Sequence, residues 1–275
     1  MELVTLRLTD GTRAGRVEGD VIVVLDAPTV RDVLADPGGL AAAAAADGGE
    51  TVARAGADLA PVVPAPDKIV CVGVNYRDHI EEMGREAPGH PTYFAKYARA
   101  LVGPHDDILL PPPEVSTSID WECELALVIG KPARNVAGAE ALDAIAGFCV
   151  LNDVSVRDWQ RRTSQFLAGK SFEGLTPVGP GLVTTDQVGD GSGLALSTTV
   201  NGVVKQQSNT SHLVFDAVDI VTDLSRVMTL DPGDIVATGT PGGVGAARTP
   251  PEYLKPGDEL VTTIEGIGTL TNRCR

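Results

Sequence analysis

Apolar and polar residues alternate at the start of the chain. Val4-Thr5-Leu6-Arg7-Leu8 changes character at every step, and Val21-Ile22-Val23-Val24-Leu25 is an unbroken apolar run. Both predict strands, with turns at Thr9-Asp10-Gly11 and Glu18-Gly19-Asp20. Helical spacing follows over Thr29–Leu34 and Leu40–Ala46, and Pro61, Pro64 and Pro66 then punctuate a linker. This predicts a small N-terminal α/β domain over residues 1–65 and a larger domain over 66–275.

In the larger part, strands are predicted at Ile69–Val74, Glu124–Ile129, Ala146–Leu151, Leu194–Val200, Asp234–Thr238 and Glu259–Ile264. Helices are predicted at Arg77–Met83, Glu140–Ala144, Asp158–Arg162 and Asp216–Met228. Strands outnumber helices without regular β–α alternation. The pattern therefore predicts an α+β fold on a mixed sheet or barrel, not a doubly wound one. There is no internal repeat.

Composition narrows the function classes. The formal charge of -15, from 37 acidic and 22 basic residues without a basic run, argues against nucleic acid, whose phosphates need clustered cations. The longest apolar run, Leu40–Ala46, is far too short to cross a bilayer, and the first residues lack the features of a signal peptide. The expectation is a cytoplasmic protein with no membrane partner. Cys71, Cys123, Cys149 and Cys274 form no CxxC pair, and three of them lie in apolar runs, which predicts buried free thiols.

The chemistry concentrates in Asp120-Trp121-Glu122-Cys123-Glu124-Leu125. On a strand, Glu122 and Glu124 point to one face, and the apolar run that follows leads them toward the core. Two unpaired buried carboxylates would cost several kcal/mol or stay protonated. A hard dication such as Mg2+ or Mn2+ resolves this. Asp153, at the end of another apolar run, is the candidate third ligand. The competing reading is a solvated strand face with Asp153 capping a turn.

Three further segments carry candidates. His79 and Glu82 are three apart on a predicted helix, so they can form a dyad that takes a proton from water; an exposed surface pair is the alternative. The Gly- and Pro-rich stretch Met83–Pro91 suggests that this helix belongs to a lid. Lys170 in Ala168-Gly169-Lys170-Ser171 ends like a phosphate loop, but Ser164 stands where that motif requires glycine. Lys170 is then either a cation for a substrate oxyanion or an exposed loop residue. The loop Thr238-Gly239-Thr240-Pro241-Gly242-Gly243 lets backbone amides and Thr240 approach a ligand carboxylate, or is simply a tight turn.

Together, Gly73-Val74-Asn75-Tyr76-Arg77-Asp78-His79, Asp120–Leu125, Asn152-Asp153-Val154-Ser155-Val156-Arg157-Asp158, Gly169–Phe172 and Gly233–Gly245 resemble, in order, the fumarylacetoacetate hydrolase family, especially its acylpyruvase-like bacterial members. The resemblance implies a mixed β-roll domain behind a smaller N-terminal domain, and a homodimer. It implies Mg2+ or Mn2+ on Glu122, Glu124 and Asp153, water activation by His79 with Glu82, and oxyanion stabilisation by Lys170. Substrate binding would fall to Arg157, Asp158, Gln160 and Thr240. The implied activity is hydrolysis of a carbon–carbon bond in a small β-diketo acid such as an acylpyruvate or fumarylpyruvate. An oxaloacetate-type decarboxylase and a 2-hydroxydienoate isomerase are alternatives on the same metal site.

Overall fold

A computed structural model describes residues 1–84 and 86–275. The strands are β1 (Glu2–Leu8), β2 (Gly11–Glu18), β3 (Val21–Val24), β4 (Thr51–Ala53), β5 (Ile69–Gly73), β6 (Thr92–Lys96), β7 (Leu101–Val102), β8 (Ile119–Asp120) and β9 (Cys123–Ile129). They continue with β10 (Ile145–Asn152), β11 (Ser155–Val156), β12 (Thr176–Thr184), β13 (Ala195–Val200), β14 (Val203–Asn209), β15 (Ile235–Ala237), β16 (Glu259–Ile264) and β17 (Gly268–Arg273).

The architecture is α+β. One 11-stranded sheet runs β4-β3-β2-β1-β12-β10-β9-β15-β5-β6, with β7 beside β12. A second sheet has the order β14-β13-β16-β17, and β8 and β11 form a short ribbon. The large sheet does not close into a barrel; β4 and β6 are its free ends. Its N-terminal strands join the rest through Glu2↔Val183 and Leu3↔Leu182, so the hydrogen-bonded ladder runs straight across the proline linker.

β9 lies mid-sheet and is buried along its whole length, which is why it reads as a continuous apolar run rather than an alternating one. Cys123, Leu125, Leu127 and Ile129 pack toward the helix Ala217–Val227 and the second sheet. Ala126 and Val128 face the other way, against the helices Val30–Ala35 and Gly39–Ala45. Burying a side chain such as Leu127 contributes about 2 kcal/mol of transfer free energy, so both faces hold β9 in register. Glu122 and Glu124 share the Ala126 face but sit at the strand's entrance, beyond the apolar packing.

Local signals set the helix limits. Asp216 and Asp219 form a reciprocal capping box at the start of Ala217–Val227, and Thr29 caps Val30–Ala35. The helix Arg77–Glu82 ends one residue earlier than predicted. The lid expected over Met83–Pro91 includes Arg85, which lies outside the described residues. Among the described residues, no helix is long and apolar enough to cross a membrane. All four cysteines are free and buried, as predicted.

Candidate metal centre and catalytic cavity

Antiparallel pairing assembles the acidic cluster. Asn152 pairs with Cys123 and Leu151 with Glu124 in the β9–β10 ladder. One step further, the Asp153 amide donates to the Glu122 carbonyl at 2.8 Å. Asp153 therefore faces Glu122 across the ends of two strands, with Glu124 two residues along. Ligand oxygens of Glu122, Glu124 and Asp153 all lie within 4.8 Å of one another, and all three residues are buried. A buried cluster excludes the solvated-face reading of the sequence.

The cations around this triad form a chain of alternating sign. The Arg157 guanidinium donates to Asp120 at 2.7 Å and is 2.6 Å from Glu122; Lys170 Nζ is 2.7 Å from both Glu122 and Asp153. Lys96 pairs with the other oxygen of Asp153. Asp120, Arg157, Glu122, Lys170, Asp153 and Lys96 thus balance to zero. Glu124 is left over: it accepts the Gly239 amide at 2.8 Å but has no ion-pair partner among the described residues.

The carboxyl groups respond accordingly. Burial alone would raise Glu122, but Lys170 and Arg157 outweigh it and hold the carboxyl down at about 2. Burial pushes Glu124 well above the usual range, and the charges of Asp153 and Glu122 add to the rise. Burial opposes the charge on Lys170, yet the carboxylates of Asp153 and Glu122 keep its pKa above the ordinary lysine value. One surplus carboxylate among converging oxygens is a donor set suited to a hard dication. The residues present fit a divalent cation bound through oxygen.

Two close approaches shape the site, and both need glycine. Gly239 has φ 104°, and a Cβ there would lie 2.9 Å from Asn75 Cβ and 3.0 Å from the Val72 carbonyl oxygen. Only this backbone turns its amide onto Glu124. At Gly169 a Cβ would fall 2.4 Å from the Gln160 nitrogen, so the turns Arg157–Gln160 and Leu167–Lys170 touch and deliver Lys170 inward. Gln206 fastens the facing loop: it donates to Thr240 Oγ1 at 2.8 Å and the Pro241 carbonyl at 2.9 Å, while accepting from the Cys123 amide.

A cavity of about 620 Å³ opens over the triad, lined by His79, Glu82, Glu122, Glu124, Arg157, Gln160, Lys170 and Thr240 among others. His79 Nδ1 is 3.0 Å from Glu82 Oε2, and Glu82 Oε1 accepts the Gly243 amide at 3.0 Å, which ties the dyad to the glycine loop. Gln160 accepts from Arg157 at 2.9 Å. Asp158 stands apart. It does not line the cavity, and its carboxylate accepts the Ser116 hydroxyl at 2.6 Å; helical spacing turns it away from Arg157 and Gln160, contrary to the binding role expected of it. Lys170 is neither exposed nor an unattached cation, because carboxylates occupy two of its three N–H donors.

Sequence reasoning missed Lys96 and underrated Asp120. Lys96 lies 57 positions before Asp153 in a strand that was not predicted, and nothing local marks it as buried. Asp120 has a faint signal, an acid beside Trp121 at a strand end. It accepts the Gly245 and Ala246 amides as well as Arg157.

Residues 68–275 match the model described as fumarylacetoacetate (FAA) hydrolase C-terminal. The chain is 49% identical over 217 residues to the mitochondrial oxaloacetate tautomerase FAHD2A of Bos taurus, covering 78% of this chain and 68% of that protein. Among solved structures it resembles a fumarylacetoacetate hydrolase from Exiguobacterium antarcticum, with 33% identity, TM-score 0.87 and coverage of 100% of this chain and 99% of the other. A 5-carboxymethyl-2-hydroxymuconate delta-isomerase from Mycobacterium smegmatis is 37% identical with TM-score 0.81, covering 100% and 98% of the two chains. The chain belongs to the fumarylacetoacetate hydrolase family.

Proposed function

From membership of the fumarylacetoacetate hydrolase family, we propose that this protein is a divalent-metal-dependent enzyme that moves a proton between the keto and enol forms of a small oxaloacetate-like 2-oxo acid. The observation that carries this reading is the His79–Glu82 dyad in the same cavity as the Glu122–Glu124–Asp153 triad. The similarity to an oxaloacetate tautomerase supports it.

A dication on the three carboxylates would supply Lewis-acid charge for the carboxylate and 2-oxo end of the substrate. The chain's own groups do the rest. Glu82 holds His79 Nδ1, which leaves Nε2 to take a proton from the carbon beside the carbonyl and hand it to the 2-oxo oxygen, giving the enol; the reverse transfer restores the keto form. The third N–H of Lys170 is available to the developing negative oxygen. Thr240 bounds the carboxylate end, and Gln160 supports Arg157 beside Glu122.

Hydrolytic cleavage of an acylpyruvate is the second reading, and the cavity favours it. A volume of about 620 Å³ with Val72, Met83, Phe94 and Phe166 in its walls exceeds what a four-carbon acid fills and could take an acyl tail. In that reaction His79 would deprotonate water instead of carbon. Following oxaloacetate enol decay, CO2 release and acylpyruvate cleavage side by side, with and without Mg2+, separates these readings. Enol decay accelerated only with Mg2+ supports the first; pyruvate release from acylpyruvates with inert oxaloacetate enol overturns it. The homodimer implied by the family resemblance belongs to the same proposal and is checked by light scattering.

A further inference from the structure

The charges in the cavity point to a second anion site. The chain from Asp120 to Lys96 is neutral, Glu124 adds one negative charge, and a dication would leave one positive charge at the centre. One substrate carboxylate satisfies that. A second carboxylate would find no cation there, since Arg157 and Lys170 are engaged. The remaining arginine lining the cavity is Arg161, whose side chain has no hydrogen-bond or ion-pair partner among the described residues. Its neighbour Arg162 is committed elsewhere, 3.5 Å over the Trp159 ring. Arg161 follows Arg157 by four residues, and its amide donates to the Arg157 carbonyl at 3.1 Å. It therefore sits on the same side of the turn, about 6 Å along the axis.

We propose that Arg161 binds the distal carboxylate of a dianionic 2-oxo acid whose other end is held at the metal centre, so that the enzyme selects dicarboxylic over neutral-tailed substrates. This rests on the 2-oxo-acid reading above and assigns the residue that meets the second carboxylate of an oxaloacetate-like acid. Arg161 lines the same cavity as Glu122 and Glu124, so one substrate can reach both the metal centre and this arginine. Arg161 is exposed at the cavity rim, so its replacement leaves the buried charge chain intact.

The test uses two stable acids of equal length, 2-oxoglutarate and 2-oxopentanoate, titrated calorimetrically into Mg2+-saturated protein. Wild type should bind the diacid about tenfold more tightly, the scale of one charge-assisted hydrogen-bonded contact. Arg161→Gln should erase that preference, raising the diacid Kd about tenfold while leaving the monoacid Kd within twofold. An unchanged diacid-to-monoacid ratio in Arg161→Gln overturns the proposal, as does equal weakening of both acids. Binding of neither acid by wild type would instead remove the 2-oxo-acid reading, and this proposal with it.

Discussion

Glu124→Gln should have opposite effects with and without metal. Glu124 is the surplus charge of the buried cluster, held by one backbone amide and, among the described residues, no cation. Replacing it with the isosteric amide keeps the acceptor for Gly239 and removes the carboxyl whose ionisation the interior resists. Relieving that burial should stabilise the metal-free protein by about 2 kcal/mol near pH 8, about 5 °C in Tm for a chain of this size. Mg2+ at a hundred times its Kd should stabilise wild type by about 2.7 kcal/mol, about 7 °C, and leave Glu124→Gln unmoved. The pH dependence has a defined sign. Burial raises the folded-state pKa of Glu124, so the metal-free wild type is favoured below the ordinary value of 4.5 and loses stability as pH rises through the raised value. Glu124→Gln lacks that loss. Calorimetric melts with EDTA or Mg2+ between pH 5 and 8.5 test this. If the variant melts lower than wild type in EDTA, or still gains stability from Mg2+, the surplus-charge account is wrong.

Three other perturbations address the remaining parts. His79→Ala should lower kcat by roughly a hundred- to ten-thousandfold while Mg2+ affinity by calorimetry stays unchanged; an unaltered kcat would take His79 out of the chemistry. Lys96→Met removes one partner of a buried ion pair and should cost about 3–5 kcal/mol in denaturant unfolding, with Mg2+ affinity about tenfold weaker or worse as Asp153 loses its anchor. Full Mg2+ affinity in Lys96→Met would show that Asp153 needs no such support. Gly239→Ala forces a Cβ against Asn75 and should cost about 1–3 kcal/mol. It should also weaken Mg2+ binding by shifting the amide on Glu124, and a melt matching wild type would contradict the contact.

Several elements were legible because their causes are local. The Asp216 and Asp219 capping box lies within one helical turn, so the start of Ala217–Val227 follows from the residues themselves. The i,i+3 spacing brings His79 to Glu82, and period two sets Glu122 and Glu124 on one side. Strand β12 is absent from the predicted strands, and its Pro177, Gly179, Pro180 and Gly181 are residues that weaken a strand signal. It survives because β1, β7 and β10 pair with it, a stabilisation that belongs to the assembled sheet.

The sequence by itself determined which chemical groups this protein owns and which near neighbours share a face, since helix and strand periods are properties of the backbone. Tertiary structure decided what those groups meet. Antiparallel register set Asp153 against Glu122, and β6 delivered Lys96 to Asp153. The same packing used up Arg157 and Lys170 in ion pairs and left Glu124 and Arg161 without one among the described residues. Charge balance depends on distance, and distances between residues far apart in the chain exist only once it has folded.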